Sequence, residues 1–415
     1  MILAADPLYI GDDGSAQVGL AEVLITLLKV GVAFALLMVA VMLMVWFERK
    51  LVGDMQNRVG PLIAGPWGIM QTLADGIKLF FKEDLVPSHS DRFVFKLAPY
   101  LAIVPAFLTF AIVPLGGVFT SREPAVAGEQ GMFSWWGHDT FLQLADPPVG
   151  VLFFLAMSSI AVYGVMLAGW SSGSKYPLLG SVRATAQMVS YEAALGLSVA
   201  AVVLMTGSLS THDMVLAQSG EGFFGIIPRW NLIITGFVPF VVFLIAGTAE
   251  LNRPPFDLVE AEQELVGGFH TEYSSIRFAL FFLAEFMNTI TMSAIIVTLF
   301  LGGPSGPVLI DAIDWVWGLV WFALKLFVFL FVFVWFRATL PRFRYDQLMD
   351  LGWKLLIPVS LCWLLFLAAL EVGRDRGWNR VAVLGVVVAV GFAATLLMVG
   401  ALSASRRVRE LEEVS

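Results

Sequence analysis

Long apolar runs separated by short polar connections set the pattern of this chain. Nine runs lie near residues 20–47, 95–117, 148–170, 182–206, 231–249, 276–301, 312–339, 352–371 and 381–402. About 20 apolar residues suffice for a spanning helix. The pattern therefore predicts an all-α fold, a polytopic transmembrane helical bundle of about nine spans. The second run carries Pro99, Pro105 and Pro114, which predicts a kinked or partly irregular helix, because an interior proline removes a backbone donor and crowds the preceding turn. After Pro66, "GPWGIMQTLADGIKLFFKED" is too short and too polar to span. Its apolar Met70, Leu73, Ala74, Ile77 and Phe81 recur at helical spacing, opposite Gln71, Asp75, Lys78 and Lys82. That spacing predicts an amphipathic helix lying in the membrane interface. On its own it is read either as a surface anchor or as the wall of a cavity entered from the lipid.

Composition agrees with the pattern. The chain is 58% hydrophobic and 14% charged, with a mean hydropathy of +0.83; soluble domains carry about a quarter charged residues. A net charge of −8 gives no nucleic-acid signature. Cys362 is the sole cysteine, so by itself it makes no disulfide framework, Cys-rich metal site or iron–sulfur cluster. His89, His138, His212 and His270 are dispersed and fit no short ligand spacing. We therefore expect no metal or flavin in this chain. The N-terminus lacks the basic region of a secretory signal. If it is placed outside, 18 of the 25 Lys and Arg fall in inner segments and 5 in outer ones, as the positive-inside rule requires. Residues 1–19 then form an outer segment. No internal repeat stands out.

Polar groups inside the apolar runs are the sharper signal. Glu192 and Glu285 each sit about ten residues into a run, where insertion scales put a charge at roughly +2.5 to +3.5 kcal/mol. Arg183, Gln187 and Tyr191 follow at i, i+4 and i+8, and Asn288 and Thr289 follow Glu285. Between two runs, "NRPPFDLVEAEQELVGGFHTEYS" gathers Asp257, Glu260, Glu262, Glu264 and Glu272 beside Arg253 and His270, with Glu250 just before it and Glu48 ending the first run. Glu260 and Glu264 share a helix face; Glu262 points away from it. Burial disfavours a charged carboxylate and raises its pKa, so a string of such groups can take up and release protons near neutral pH. Structural ion pairs within the spans, or a solvated acidic loop, are the other readings. Leu258, Val259, Leu265 and Val266 interleave the acids and fit a solvated loop poorly.

The stretches "FERKLVGDMQNRVGP", "GIMQTLADGIKLFFKED", "GWSSGSKYPLLGSVRATAQMVSYE", "AELNRPPFDLVEAEQELVGGFHTEYS" and "PRFRYDQLMDLGWK" occur in that order over roughly residues 20 to 365. Together they resemble the H-subunit family of proton-pumping NADH:quinone oxidoreductase (respiratory complex I). The resemblance implies a membrane subunit, not catalytic alone, that joins the redox arm to the membrane arm. It implies an acidic proton path through Glu48, Glu192, Glu250, Glu260, Glu262, Glu264 and Glu285, and a quinone passage near Arg49, Arg58, Trp67, Met70, Asp75, Arg253 and Phe256. It implies a quinone, ubiquinone or menaquinone, as substrate. It implies the quinone-module subunits of the redox arm, the neighbouring small membrane subunits and lipid as partners, and a bacterial plasma membrane with cytoplasmic inner loops. The resemblance implies an eight-span core over residues 20–371; residues 372–415, an additional span near 381–402 with a basic inner tail, exceed it, and the loop at 207–230 carries no assignment. The equivalent membrane subunit of a membrane-bound hydrogenase is the first alternative. A stand-alone cation or proton transporter is the second, weakened by the lack of a repeat.

Overall fold

The computed structural model describes residues 6, 8, 19–117, 119, 131–135, 137–219, 229–258, 265–308, 314–377 and 385. Seven helices among them are long and apolar enough to cross a membrane. These are α1 (Leu20–Met55), α3 (Arg92–Phe110), α4 (Gly150–Ser171), α5 (Lys175–Thr206), α9 (Ser275–Phe300), α10 (Asp314–Thr339) and α11 (Tyr345–Asp375). The eighth, α8 (Phe237–Glu250), is shorter and equally apolar. The ninth run, 381–402, lies outside the described residues apart from Gly385, as does the basic tail.

The amphipathic segment folds as predicted, into α2 (Gln71–Phe81). None of its residues is buried; Met70, Leu73, Ile77, Phe80 and Phe81 present an open apolar face. A surface helix with this face needs lipid to cover it. Two tethers hold its start to α1: Arg49 pairs with Asp75 at 2.5 Å, and the Trp46 indole donates to the Trp67 carbonyl at 3.0 Å.

The proline-bearing second span is partly irregular, as expected, though not at its first two prolines. Helix α3 is continuous through Pro99 and Pro105 and stops at Phe110, so Pro114 lies beyond it. Pro99 leaves the Phe95 carbonyl without its helical donor; the Tyr273 hydroxyl fills that place at 3.1 Å. Burial pushes the Tyr273 phenol up to about 12, which keeps that donor proton in place. The fifth span differs from expectation. A short α7 (Asn231–Ile234) is separated from α8 by Gly236, whose φ of +77° breaks the helix. A β-carbon there would stand 2.8 Å from the Trp363 ring, so the break and the close indole contact both call for glycine. In α11 the turns over Leu351–Leu356 open into π geometry just before Pro358, which cannot donate back to the preceding turn.

The pattern gave no sign of a β-hairpin, yet β1 (Met132–Trp135) and β2 (His138–Phe141) pair antiparallel. Phe141 packs against His212 of α6 (Thr211–Gln218), ring centres 4.0 Å apart. At the centre of the bundle stands α9, 72% buried over its most apolar stretch against 17% for α11. Helices α3, α4 and α5 cross closely at small residues. A methyl on Gly164 would meet the Ala102 nitrogen at 2.8 Å, and one on Gly169 would overlap Pro177 and Ser181. Close backbone approach of this kind is how spanning helices gain dispersion contact without a hydrophobic drive between them.

Candidate functional site

Helix α1 has 36 residues, about 54 Å of length, against a hydrocarbon core of about 30 Å. Its last turns therefore project beyond the bilayer core and carry Glu48 and Arg49 to one end of the bundle. At that end four charges meet. Arg253, in the chain leaving α8, sets Nη1 2.7 Å from Glu48 Oε2 and Nε 3.1 Å from Glu285 Oε1 of α9. Arg337 of α10 bonds the other oxygen of Glu48. The guanidinium of Arg253 lies 4.6 Å from the centre of the Phe286 ring. Two cations and two anions sum to zero. That matters because Arg253 is 2% and Glu48 5% exposed, and unpaired charges at such depth are strongly unfavourable. The Arg253 Nη2 atom is buried with no hydrogen-bond partner among the described residues.

Two cavities flank this quartet. A cleft of about 500 Å³ opens at the end of α1, lined by Glu48, Arg49, Arg58, Phe282, Phe286 and Arg337 among others. A narrower central chamber of about 70 Å³ lies between α3, α4, α5, α8 and α9. Its walls are mostly apolar, Phe269, Phe278, Phe281 and Phe282 among them, with Glu250, Asn252, His270, Glu285 and Asn288 as the polar members. Glu285 thus pairs with Arg253 and also faces the chamber. Beyond it, Ser158 donates to Glu250 and the adjacent Ser159 donates to Glu192. The second Glu250 oxygen is buried without a hydrogen-bond partner among the described residues. Nearby, Gln187 ties α5 to the end of α8 by donating to the Ala249 carbonyl at 2.7 Å.

Of the residues singled out from the sequence, Glu48, Arg253 and Glu285 meet in the quartet, and Glu192 and Glu250 sit on neighbouring serines. Arg49 and Arg58 line the open cleft, and Asp75 holds Arg49. Trp67 and Met70 are 71% and 51% exposed at the start of α2 and are not among the cleft's lining residues. Phe256 is 3% exposed and packs between Tyr191 and Phe343 in the core; it too is absent from the cleft wall. Glu260, Glu262 and Glu264 lie outside the described residues. Sequence reasoning missed Arg337, Ser158, Ser159 and the part of His270 in the chamber wall. The serines carry a signal, a pair of hydroxyls in the middle of an apolar run. Arg337 carries none beyond that of a basic residue at a span end. Among the described residues no three His, Cys, Asp or Glu come together as a metal site would need.

The fold and site define a class: a polytopic α-helical membrane protein that holds a neutral charge quartet and a carboxylate-bearing chamber inside its bundle. The chain belongs to the NADH dehydrogenase family, whose pattern matches residues 28–368. It is 49% identical over 393 residues to a Frankia alni protein named as the H subunit of NADH-quinone oxidoreductase, a match covering 93% of this chain and 82% of that protein. It is likewise 49% identical over 394 residues to the Frankia casuarinae protein of the same name, with the same coverage.

Proposed function

We propose that this chain is the membrane subunit of a proton-pumping NADH:quinone oxidoreductase, and that its two cavities divide the work. The open cleft walled by Glu48, Arg49 and Arg58 receives the quinone head, entered past α2 from the lipid. The chamber beyond the quartet carries protons from that cleft toward Glu250 and Glu192. One observation supports this division above others. Glu285 touches Arg253, and through it Glu48, on one side and lines the chamber of Glu250 on the other. A change of charge at the quinone would be felt by Arg253 and passed to the chamber by re-pairing of carboxylates. Quinone enters as substrate. Electrons come from centres in partner subunits of the redox arm, and the small membrane subunits beside this one continue the path. Glu260, Glu262 and Glu264 extend the acidic string along the sequence, as the family resemblance implies. The basic end of the bundle faces the cytoplasm of a bacterial plasma membrane, as the Lys and Arg bias supports.

The test is a set of charge-neutral variants in the assembled complex. Glu192→Gln, Glu250→Gln and Glu260→Gln keep shape and polarity but cannot titrate. With assembly checked by native gel, each is expected to lower NADH:quinone turnover and membrane potential together, by about tenfold or more if the proton step becomes limiting. Glu192→Asp, which keeps the proton on a shorter arm, should retain more of both. Normal turnover with normal potential in all three Gln variants would leave these carboxylates structural.

A further inference from the structure

A third cavity touches the first chamber. It is a side cleft of about 310 Å³ between the end of α2 and the turn after the acidic segment, lined by Leu79, Lys82, Thr271, Ser274 and Ser275 among others. Two residues belong to the walls of both this cleft and the central chamber: His270 and Phe278. Their rings meet edge to face, centres 5.3 Å apart. Of the two, only His270 can carry a proton. Its turn is fixed rigidly: the Gly268 backbone lies so close to α5 that a β-carbon on Gly180 would stand 2.8 Å from it. No described residue hydrogen-bonds the imidazole, and the residue stands in the wall of both cavities.

We propose that His270 is a proton gate, passing protons between the side cleft at the membrane surface and the carboxylate chamber, with Phe278 closing the rest of the wall. The inference rests on the proton-path reading above and adds an entrance separate from the quinone cleft. In each transfer one ring nitrogen takes a proton from water in the side cleft. The other gives its proton to the chamber side, toward Glu250 or Glu285, and ring reorientation restores the starting tautomer. One proton moves and no charge remains on the ring. Burial pushes the imidazole down to about 4, so the ring rests neutral and the charged form is transient. The charged and titratable groups that line the two cavities with it are Glu250 and Glu285 in the chamber and Lys82 and Tyr273 in the side cleft. The chamber's roughly 70 Å³ is room enough for water to complete the contacts.

The test uses the whole complex in inverted membrane vesicles, which turn the basic end toward the medium. His270→Phe should leave assembly intact and lower coupled turnover about tenfold or more. It should enlarge the solvent deuterium isotope effect, and added imidazole should restore much of the rate. His270→Asn, similar in size and unable to titrate, should behave alike, and it decides the matter if the Phe variant fails to assemble. Unchanged turnover and isotope effect in His270→Asn overturn the gate. So does a loss that imidazole does not relieve, which marks the residue as structural. If the Glu192 and Glu250 variants are impaired while the His270 variants are normal, this proposal alone falls. If all are normal, the proton-path reading falls with it.

Discussion

At the scale of single residues, the two most deeply buried charges among the described residues, Arg253 and Glu48, are partners of one another. Arg253 alone answers two carboxylates, and it is nearly sealed from water. Removing one partner of a buried pair leaves the others uncompensated, which costs about 3–5 kcal/mol. Arg253→Ala should therefore lower the thermal midpoint of the complex and its yield on a native gel. Arg337→Ala should do less, because that side chain is 44% exposed and water can replace it beside Glu48. Equal losses in the two variants would argue against Arg253 as the centre of the quartet. Much of this is legible in the sequence. A carboxylate in the middle of an apolar run is costly to bury, so Glu192 and Glu285 stand out. Their partners do not, because a sequence shows which residues are costly to bury but not which serine or arginine a neighbouring helix will bring. Phe256 illustrates the opposite failure. It lies in the most distinctive motif of the chain, yet the fold places it between Tyr191 and Phe343.

At the scale of elements, period and length carry the helices, and local chemistry decides where they break. Two features elude the pattern for a common reason. Gly236 ends α7 because Trp363, more than a hundred residues later, occupies the space a side chain would need. The hairpin at 132–141 is short, and its Phe141 packs on a histidine of α6. Both depend on contacts distant in the chain. The helix crossings yield a direct prediction. Gly169→Ala places a methyl against the Pro177 backbone and Ser181, where the backbone must give way; overpacking of this kind costs about 1–3 kcal/mol. The midpoint of thermal aggregation in detergent should fall. Gly196→Ala in α5, where a β-carbon meets nothing within 4 Å, should leave it unchanged. Helix α2 carries a second prediction. Its open apolar face and its tie to Arg49, which lines the cleft, suit the quinone entrance proposed above. A photoreactive quinone analogue should label residues 67–82 or 49–58. Labels confined to the hairpin side would place the quinone elsewhere.

At the scale of the whole molecule the charges sort by end. The quartet, the open cleft and the side cleft all lie where α1 ends, among Arg49, Arg58 and Lys82. The opposite end holds the hairpin, α6 and a different polar group, in which Asp146 accepts from Ser210; burial raises the Asp146 carboxyl above its ordinary value. A membrane subunit that docks a redox arm needs its quinone cleft on the side where that arm sits. By the proposed orientation, which follows the Lys and Arg bias, this end lies inside. Eight helices from an outer N-terminus return the chain to the outer side after α11. We predict that the apolar run at 381–402 crosses once more, which would bring Arg406, Arg407 and Arg409 inside, where the same bias favours them. The single native cysteine makes this testable. Cys362 lies on α11; replacing it by Ser gives a background without thiols. A cysteine at Ser405 should then react with a membrane-impermeant maleimide in inverted vesicles and not in intact cells. Reaction from outside would remove the ninth crossing or invert the orientation. A second cysteine at Lys82, beside the side cleft, separates those outcomes. Labelling of Lys82→Cys in inverted vesicles alone keeps the orientation and drops only the final span, whereas labelling in intact cells alone turns the whole bundle over.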